Sequence, residues 1–596
     1  MKNRYNTLII GSGCAGFNAA DRLFSLGVKD IALVTEGINM GTSRNTGSDK
    51  QTYYKLSLCG DEGDSVRSLA ETLHSGGGVM GEHALCEAAY SVRCFMRLVE
   101  LSVPFPCNEY GEYAGYKTDH DPRSRATSSG PLTSKYMTEA LEKSVKEKNI
   151  EIIDGYKVIK ILKGGNEVCG IAAISKENNE LVIIECQNLI LCTGGPASVY
   201  ENTVYPDSQR GATGLAVDAG AALSNMEEWQ YGIASTDFKW NLSGSYQQVL
   251  PRYISVDEEG REREFLYDAL GKESLSLVFL KGYQWPFDTR KINTSSKIDI
   301  LVSDEIKKGR RVYLDFTRNP KGLENDFEAL SKEAYDYLDR SGVLFGTPFE
   351  RLEKMNFGAV ELYRSHGIDL EKEYLRISVC AQHCNGGVLV DENWQSTIRG
   401  LYCAGEAAGT FGVYRPGGSA LNSTQVGSLR AAEHIARSEE REYKKASYSM
   451  PKIRYGKSNL SSIENELRHK MSSFADFDRS TDRMRELFAR TGELLDNFFE
   501  KVYVEDKKEI IGLFELYDTL LTQRAVLSAM IYSAENIGTH GAAIVDKNEV
   551  SFDGVRKTRT VTDRDRSYFE EVSDIPRPEL WFETLLAINK EKRQRI

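Results

Sequence analysis

The chain has 596 residues, 41% hydrophobic and 27% charged, which is ordinary globular composition but too much chain for one hydrophobic core. Its formal net charge of −12 leaves no basic face for neutralising phosphates, which argues against a general nucleic-acid binder. The 11 cysteines are odd in number and scattered without any CxxC, so neither a disulfide framework nor the commonest zinc, iron–sulfur or c-type haem signature is present.

Residues 5–35 read as a βαβ unit. Residues 6–10 are a buried strand, Gly11 to Gly16 a tight turn, and 17–26 have helical periodicity. A second strand over 31–35 ends on Glu36. The apolar residues 8–10 run into the glycine turn instead of a cleavage site, and no apolar stretch approaches the roughly 20 residues of a membrane helix. A soluble cytoplasmic protein without a membrane span is therefore expected. Helical patterning dominates 65–101 and 132–148. Strand-like segments follow at 150–153, 157–162, 170–175 and 181–186, and the apolar strand 190–192 runs into Thr193-Gly194-Gly195. From 231 to 351 the chain is aromatic and charged with few glycine turns, the pattern of an inserted mixed domain. Glycine-turn signals resume at 386–390 and 400–406. Beyond 432 the chain is strongly charged, with helical apolar spacing over 461–499 and 507–537.

Gly11-Ser12-Gly13-Cys14-Ala15-Gly16 is the dinucleotide fingerprint in its required context, after a strand and opening a helix. The first glycine makes the turn and the second lets backbone approach a pyrophosphate. The third permits close helix–strand packing, while the helix N-terminus supplies partial positive charge. Glu36 stands where an acid bonds the ribose hydroxyls. Gly76 to Gly81 also fits GxGxxG, but it follows a helical stretch and reads as a helix-ending loop. Two distant strand-then-turn elements, at 190–195 and at 400–406 with Gly405 and Glu406, indicate FAD instead of NAD. They are similar to the motifs that complete the flavin site of two-dinucleotide-binding-domain flavoproteins, where the acid after Ala-Gly bonds the ribityl chain.

With these pieces in order, the chain resembles the succinate dehydrogenase, fumarate reductase and L-aspartate oxidase flavoprotein family. The resemblance takes in Ser43-Arg44-Asn45-Thr46-Gly47-Ser48 near the flavin and Met226 to Tyr231. It continues through Asn385 to Val388, Gly412 to Leu421, and Asn536 to Ala542 around His540. It implies an α/β fold: a Rossmann-like FAD-binding domain (1–230 and 356–440), an inserted α+β capping domain (231–355), and a helical C-terminal domain (441–596). By the same resemblance Ser419 and Leu421 approach the flavin, and Arg415, six residues before Leu421, anchors a substrate carboxylate. Arg252 lies near the place of the family's proton-delivering arginine, a few residues out of register, and His383 is a candidate substrate contact.

The departures shape the functional expectation. Arg44 and Asn45 stand where members with covalent flavin carry His, so FAD is expected to be non-covalent. Gly232 follows Gln230-Tyr231 where dicarboxylate enzymes have His, and Gln382 replaces a second imidazole, with His383 one place later. The expected enzyme is an FAD-dependent oxidoreductase using hydride transfer at flavin N5. Its substrate would carry one anionic end and a bulkier remainder admitted by the space at Gly232; an unsaturated or keto acid fits. The alternative is a flavoprotein subunit working with a ferredoxin-like or iron–sulfur partner.

Overall fold

The computed structural model describes residues 2–61, 63–323, 327–546 and 554–594. Its first unit is β1 (Arg4–Ile10), α1 (Cys14–Ser25) and β2 (Ile31–Thr35). After helix α2 (Thr133–Glu147) come β3 (Glu151–Asp154), β4 (Tyr156–Lys163), β5 (Val168–Ser175) and β6 (Leu181–Leu191). A second group of strands follows: β7 (Trp229–Ser235), β8 (Arg252–Val256), β9 (Arg311–Asp315) and β10 (Leu375–Cys384). The chain then returns through β11 (Leu401–Cys403) and α3 (Ser419–Arg437) before the C-terminal helices α4 (Thr481–Leu495) and α5 (Ile510–Asn536).

The nucleotide sheet has the order β3-β2-β1-β6-β5-β4, with β11 added beside β6. Strands β1, β2, β3, β6 and β11 pair in parallel, so Ile9 lies opposite Leu33 on one side and Ile190 on the other. A parallel sheet covered on both faces needs continuous apolar strands, which is why residues 8–10 and 31–34 read as unbroken hydrophobic runs. Each of Leu8, Ile9 and Ile10 is buried and contributes about 1.5–3 kcal/mol by leaving water. Helix α1 turns its small residues toward α3, where Asn18 Nδ2 donates to Gln425 O (3.0 Å) and Ser428 Oγ (2.6 Å). That packing brings the segment around 415–421 back over the fingerprint turn, some 400 residues away in sequence.

The second sheet contains β7, β10, β9 and β8 side by side. β10 ends at Cys384 and pairs antiparallel with β7 at the root of this sheet, so strands on both sides of residue 355 share one sheet. The C-terminal region is helical through α4 and α5 but adds the hairpin Thr558–Asp563 and Arg566–Glu571. Val561 and Thr562 pair with Ser224 and Leu223 of the nucleotide unit, a pairing between residues too distant for periodicity to reveal. No helix among the described residues is long and apolar enough to cross a membrane.

Candidate active site

One continuous cavity of about 730 Å³ lies between the nucleotide sheet and the capping unit. At its nucleotide end are Gly11, Gly13 and Ala15. Gly13 occupies the N-cap of α1, and no side chain caps the helix, leaving its positive end for an anion. A Cβ on Gly11, whose φ is +107°, would lie 2.4 Å from Cys192 O, and one on Gly16 would lie 1.9 Å from Gly11 O. Both glycines are required by the turn itself. Gly13 is different, because a Cβ there would meet only Ser43 Oγ at 3.2 Å; its missing side chain leaves room on the ligand side. Glu36 lines the cavity at the end of β2 and accepts from Lys157 Nζ at 3.0 Å; Lys157 also bonds Glu515 of α5. A glycine cradle at a helix N-terminus, an acid one strand away and a long cavity continuing past them fit a flavin dinucleotide.

Farther along, the cavity is lined by Ser43, Thr46, Gly47, Thr193, Gly194, Gly405, Glu406 and Leu421. Burial pushes Glu406 up to about 7, although its carboxylate accepts from Tyr205 Oη and from the Cys384 N–H (2.9 Å). Four expected cofactor residues do not reach the lining. Gly16 supports the turn from beneath, and Gly195 packs so closely on Glu406 that a Cβ would fall 2.4 Å from its Oε1. Asn45 is an exposed residue whose amide donates to Asn39 O and Gly41 O, and Ser419 Oγ accepts from Arg415 Nη1 at 3.4 Å. Neighbouring Arg44 pairs with Glu142 and Glu139 of α2 and is likewise no part of the lining.

At the cap end, strand pairing assembles the polar groups. Gln230 on β7 stands directly opposite His383 on β10, and a bulge after Gln230 shifts the register there. Gln230 Oε1 accepts from Arg415 Nη2 at 2.6 Å, and Asn385 Oδ1 accepts from Arg415 Nε at 3.3 Å. Arg415 is buried, and among the described residues no carboxylate lies within ion-pair distance of it. Burial lowers its pKa to about 10, with Glu406 opposing. The Asn385 amide nitrogen is committed to Gly412 O at 2.8 Å, so its oxygen faces the imidazole, and Nδ1 of His383 carries the proton across 3.1 Å. Nε2 is then a buried acceptor without a hydrogen-bond partner among the described residues, with Glu406 Oε1 3.9 Å away. Burial, reinforced by Arg415, holds His383 well below its usual pKa, so the ring is neutral.

Two expectations are corrected. Arg252 is no part of this cavity: it sits on β8 opposite Asp315 on β9, bonds that carboxylate at 2.8 Å, and also meets Glu264 at 3.2 Å and Glu262 at 3.5 Å. Its charge is consumed inside the cap. Nor is there space at Gly232. The Trp285 indole fills it, so that a Cβ on Gly232 would lie 2.7 Å from Cε2 and Cζ2, and Trp285 Nε1 donates to Ile233 O at 2.9 Å. Where an imidazole was expected to be missing, an aromatic wall stands. Sequence reading missed Trp285, Gln209 and the 116–120 segment, all lining the cavity. None follows a glycine turn or lies in a recognisable spacing.

Known proteins share both the sequence pattern and the fold. The family model described as FAD binding domain matches residues 6–421. A protein of Methanothermobacter marburgensis, one of the subunits of fumarate reductase (CoM/CoB), is 26% identical over 556 residues, covering 90% of this chain and 93% of that protein. L-aspartate oxidase of Xylella fastidiosa is 25% identical, over 72% of this chain and 74% of its own. Among solved structures, E. coli quinol fumarate reductase FrdA superposes with a TM-score of 0.72 at 18% identity, covering 97% of this chain and 98% of that one. At that identity the likeness establishes the fold alone: the Rossmann-like nucleotide domain with its capping and helical units.

Proposed function

The chain belongs to the FAD binding domain family, and from that premise we propose that it is an FAD-dependent oxidoreductase acting on a small monoanionic substrate, a reductase of an unsaturated or keto acid. When bound, FAD supplies hydride exchange at N5. The observation that carries the reading is Arg415, a buried guanidinium whose side-chain hydrogen bonds, among the described residues, go to the neutral oxygens of Gln230, Asn385 and Ser419. A buried cation with no carboxylate bonded to it is costly, and a substrate carboxylate supplies that partner with matching fork geometry. Gln230 and Asn385 fix the plane of the fork, while neutral His383 can accept a hydrogen bond at Nε2 from a hydroxyl or similar donor on the substrate. Trp285 lines this end of the cavity as an apolar wall.

The cofactor is read as non-covalent, because Arg44 is engaged with Glu142 and Asn45 with backbone carbonyls outside the cavity. Acid denaturation of the holoprotein should leave the yellow colour in the supernatant; colour pelleting with the protein would overturn that assignment. For the reaction, the flavin is photoreduced without oxygen and challenged with unsaturated and keto monoacids. Reoxidation by members of this set, with fumarate poor, is the expected result. Fast reoxidation by fumarate alone would refute the monoanionic assignment.

A second reading has its own support, since the Methanothermobacter relative is by name one component of a larger reductase. In it the chain is the flavoprotein component of an electron-transfer complex with an iron–sulfur partner. Turnover of the isolated chain with reduced viologen but not with NADH would favour this reading.

A further inference from the structure

The cavity does not end at Arg415. It continues beneath the cap between the 116–120 segment and residues 279–286, and reaches Glu333 and Tyr337 near the surface. Five aromatic residues line this extension: Tyr116, Phe279, Tyr283, Trp285 and Tyr337. Phe279 meets Tyr283 and Tyr337 edge to face, with ring centroids 6.2 and 5.3 Å apart. Their polar tips are already spent on protein. Tyr337 Oη donates to Gln248 Oε1 at 3.0 Å, Tyr283 Oη to Glu333, and Trp285 Nε1 to Ile233 O; Tyr116 Oη is bonded to Thr52 Oγ1 at 2.6 Å. What remains for a ligand is apolar area. Of the charged residues along the extension, Lys291 is paired with Asp119, while Lys50, Lys117 and Glu333 are exposed.

We infer that this extension is a binding subsite for the apolar body of the substrate, which is an elongated monoanion lying with its carboxylate inward on Arg415. The inference rests on the monoanion reading above and adds where the rest of the molecule goes. The bulky remainder does not lie at Gly232, where Trp285 closes the space; it lies along the aromatic passage that Trp285 helps to form. A second carboxylate lying against this aromatic surface would lose water there, which disfavours short diacids.

Calorimetric titration of the oxidised holoprotein with straight-chain monocarboxylates, from acetate to octanoate, reads this directly and needs no turnover. The dissociation constant should fall about threefold to fourfold per added methylene until the passage is filled, with an increasingly negative heat-capacity change. Butanoate should bind more tightly than succinate. Tyr283→Ser, at a position 37% exposed and so tolerant of change, should weaken octanoate about tenfold or more and leave acetate within twofold. A dissociation constant independent of chain length, with acetate still binding and still lost in Arg415→Lys, would overturn the passage and leave the monoanion reading standing. Acetate that gives no heat, in wild type and Arg415→Lys alike, would remove the underlying reading and the passage with it.

Discussion

Arg415 and Glu406 illustrate how single side chains are set by what surrounds them. Arg415 keeps its charge in a buried place by sharing it among neutral oxygens, and a lysine there would offer one compact ammonium to acceptors arranged for a planar fork. Arg415→Lys should therefore lower kcat/KM by about a hundredfold, roughly 3 kcal/mol of lost stabilisation. A variant within a few-fold of wild type would show that the guanidinium does not hold substrate. Glu406 makes a different case. Burial raises it from 4.5 to about 7, so between those values the folded apoprotein holds a proton that the unfolded chain has released. Stability from this group is accordingly full below pH 4.5, falls as pH rises toward 7, and is level above, a loss of about 3 kcal/mol by linkage. Glu406→Gln escapes that loss. Thermal midpoints of the two apoproteins from pH 5 to 8 should diverge in favour of the glutamine variant up to pH 7 and then run parallel; parallel curves throughout would refute the assignment.

At the scale of elements, the βαβ unit and the β7–β10 root do different work. The first makes a turn in which two glycines serve the fold and one serves the ligand. Gly16→Ala drives a methyl to within 1.9 Å of Gly11 O and should cost at least about 3 kcal/mol or prevent folding. Gly13→Ala meets only Ser43 Oγ, and its apoprotein should unfold in urea within about 1 kcal/mol of wild type. Its FAD affinity should nonetheless fall more than about tenfold, because the methyl occupies the pyrophosphate's approach. Equal destabilisation of both variants, or unchanged FAD affinity in Gly13→Ala, would count against this division. The second element pair places Gln230 on the Arg415 guanidinium and, from the opposite strand, His383 on Asn385 beside it, so the root of the cap carries the polar end of the cavity. Motion of the cap about this root would carry both side chains with it.

Across the whole molecule, buried charge ties the C-terminal region to the cap and the nucleotide sheet. Arg556 Nη1 donates to Glu227 at 2.7 Å and Glu228 at 2.6 Å, immediately before β7, while His540 bonds Glu228 at 2.8 Å. Burial alone would raise Glu228, but His540, Arg556 and Arg479 outweigh it and hold the carboxyl below its usual range. Removing one partner from such a cluster strands the others, so Arg556→Met should cost about 3–5 kcal/mol in urea unfolding. A change below about 1 kcal/mol would show that the cluster carries no such coupling. At the other end, Lys157 joins Glu36 of the nucleotide site to Glu515 of α5, so helix and cofactor pocket share one cation. Burial works against that charge, yet Glu515 and Glu36 raise the lysine's pKa above its usual value.

The residues alone determined what depends on near neighbours. A strand, three glycines and a helix are contiguous, and the steric demands of a tight turn and an open helix N-terminus leave few alternatives, so the fingerprint, Glu36 and the strand-then-turn elements at 190–195 and 400–406 were legible. Arg415 was singled out only through resemblance, since a single arginine carries no local signal; the fold adds its place in the cavity beside Gln230 and Asn385. Tertiary structure decided the rest, because charge and volume are settled by partners distant in sequence. Arg252 looked available until β9 placed Asp315 opposite it. Gly232 looked like empty space until Trp285, more than fifty residues later, filled it. β7 and β10 pair across some 150 residues of chain, a contact no periodicity encodes.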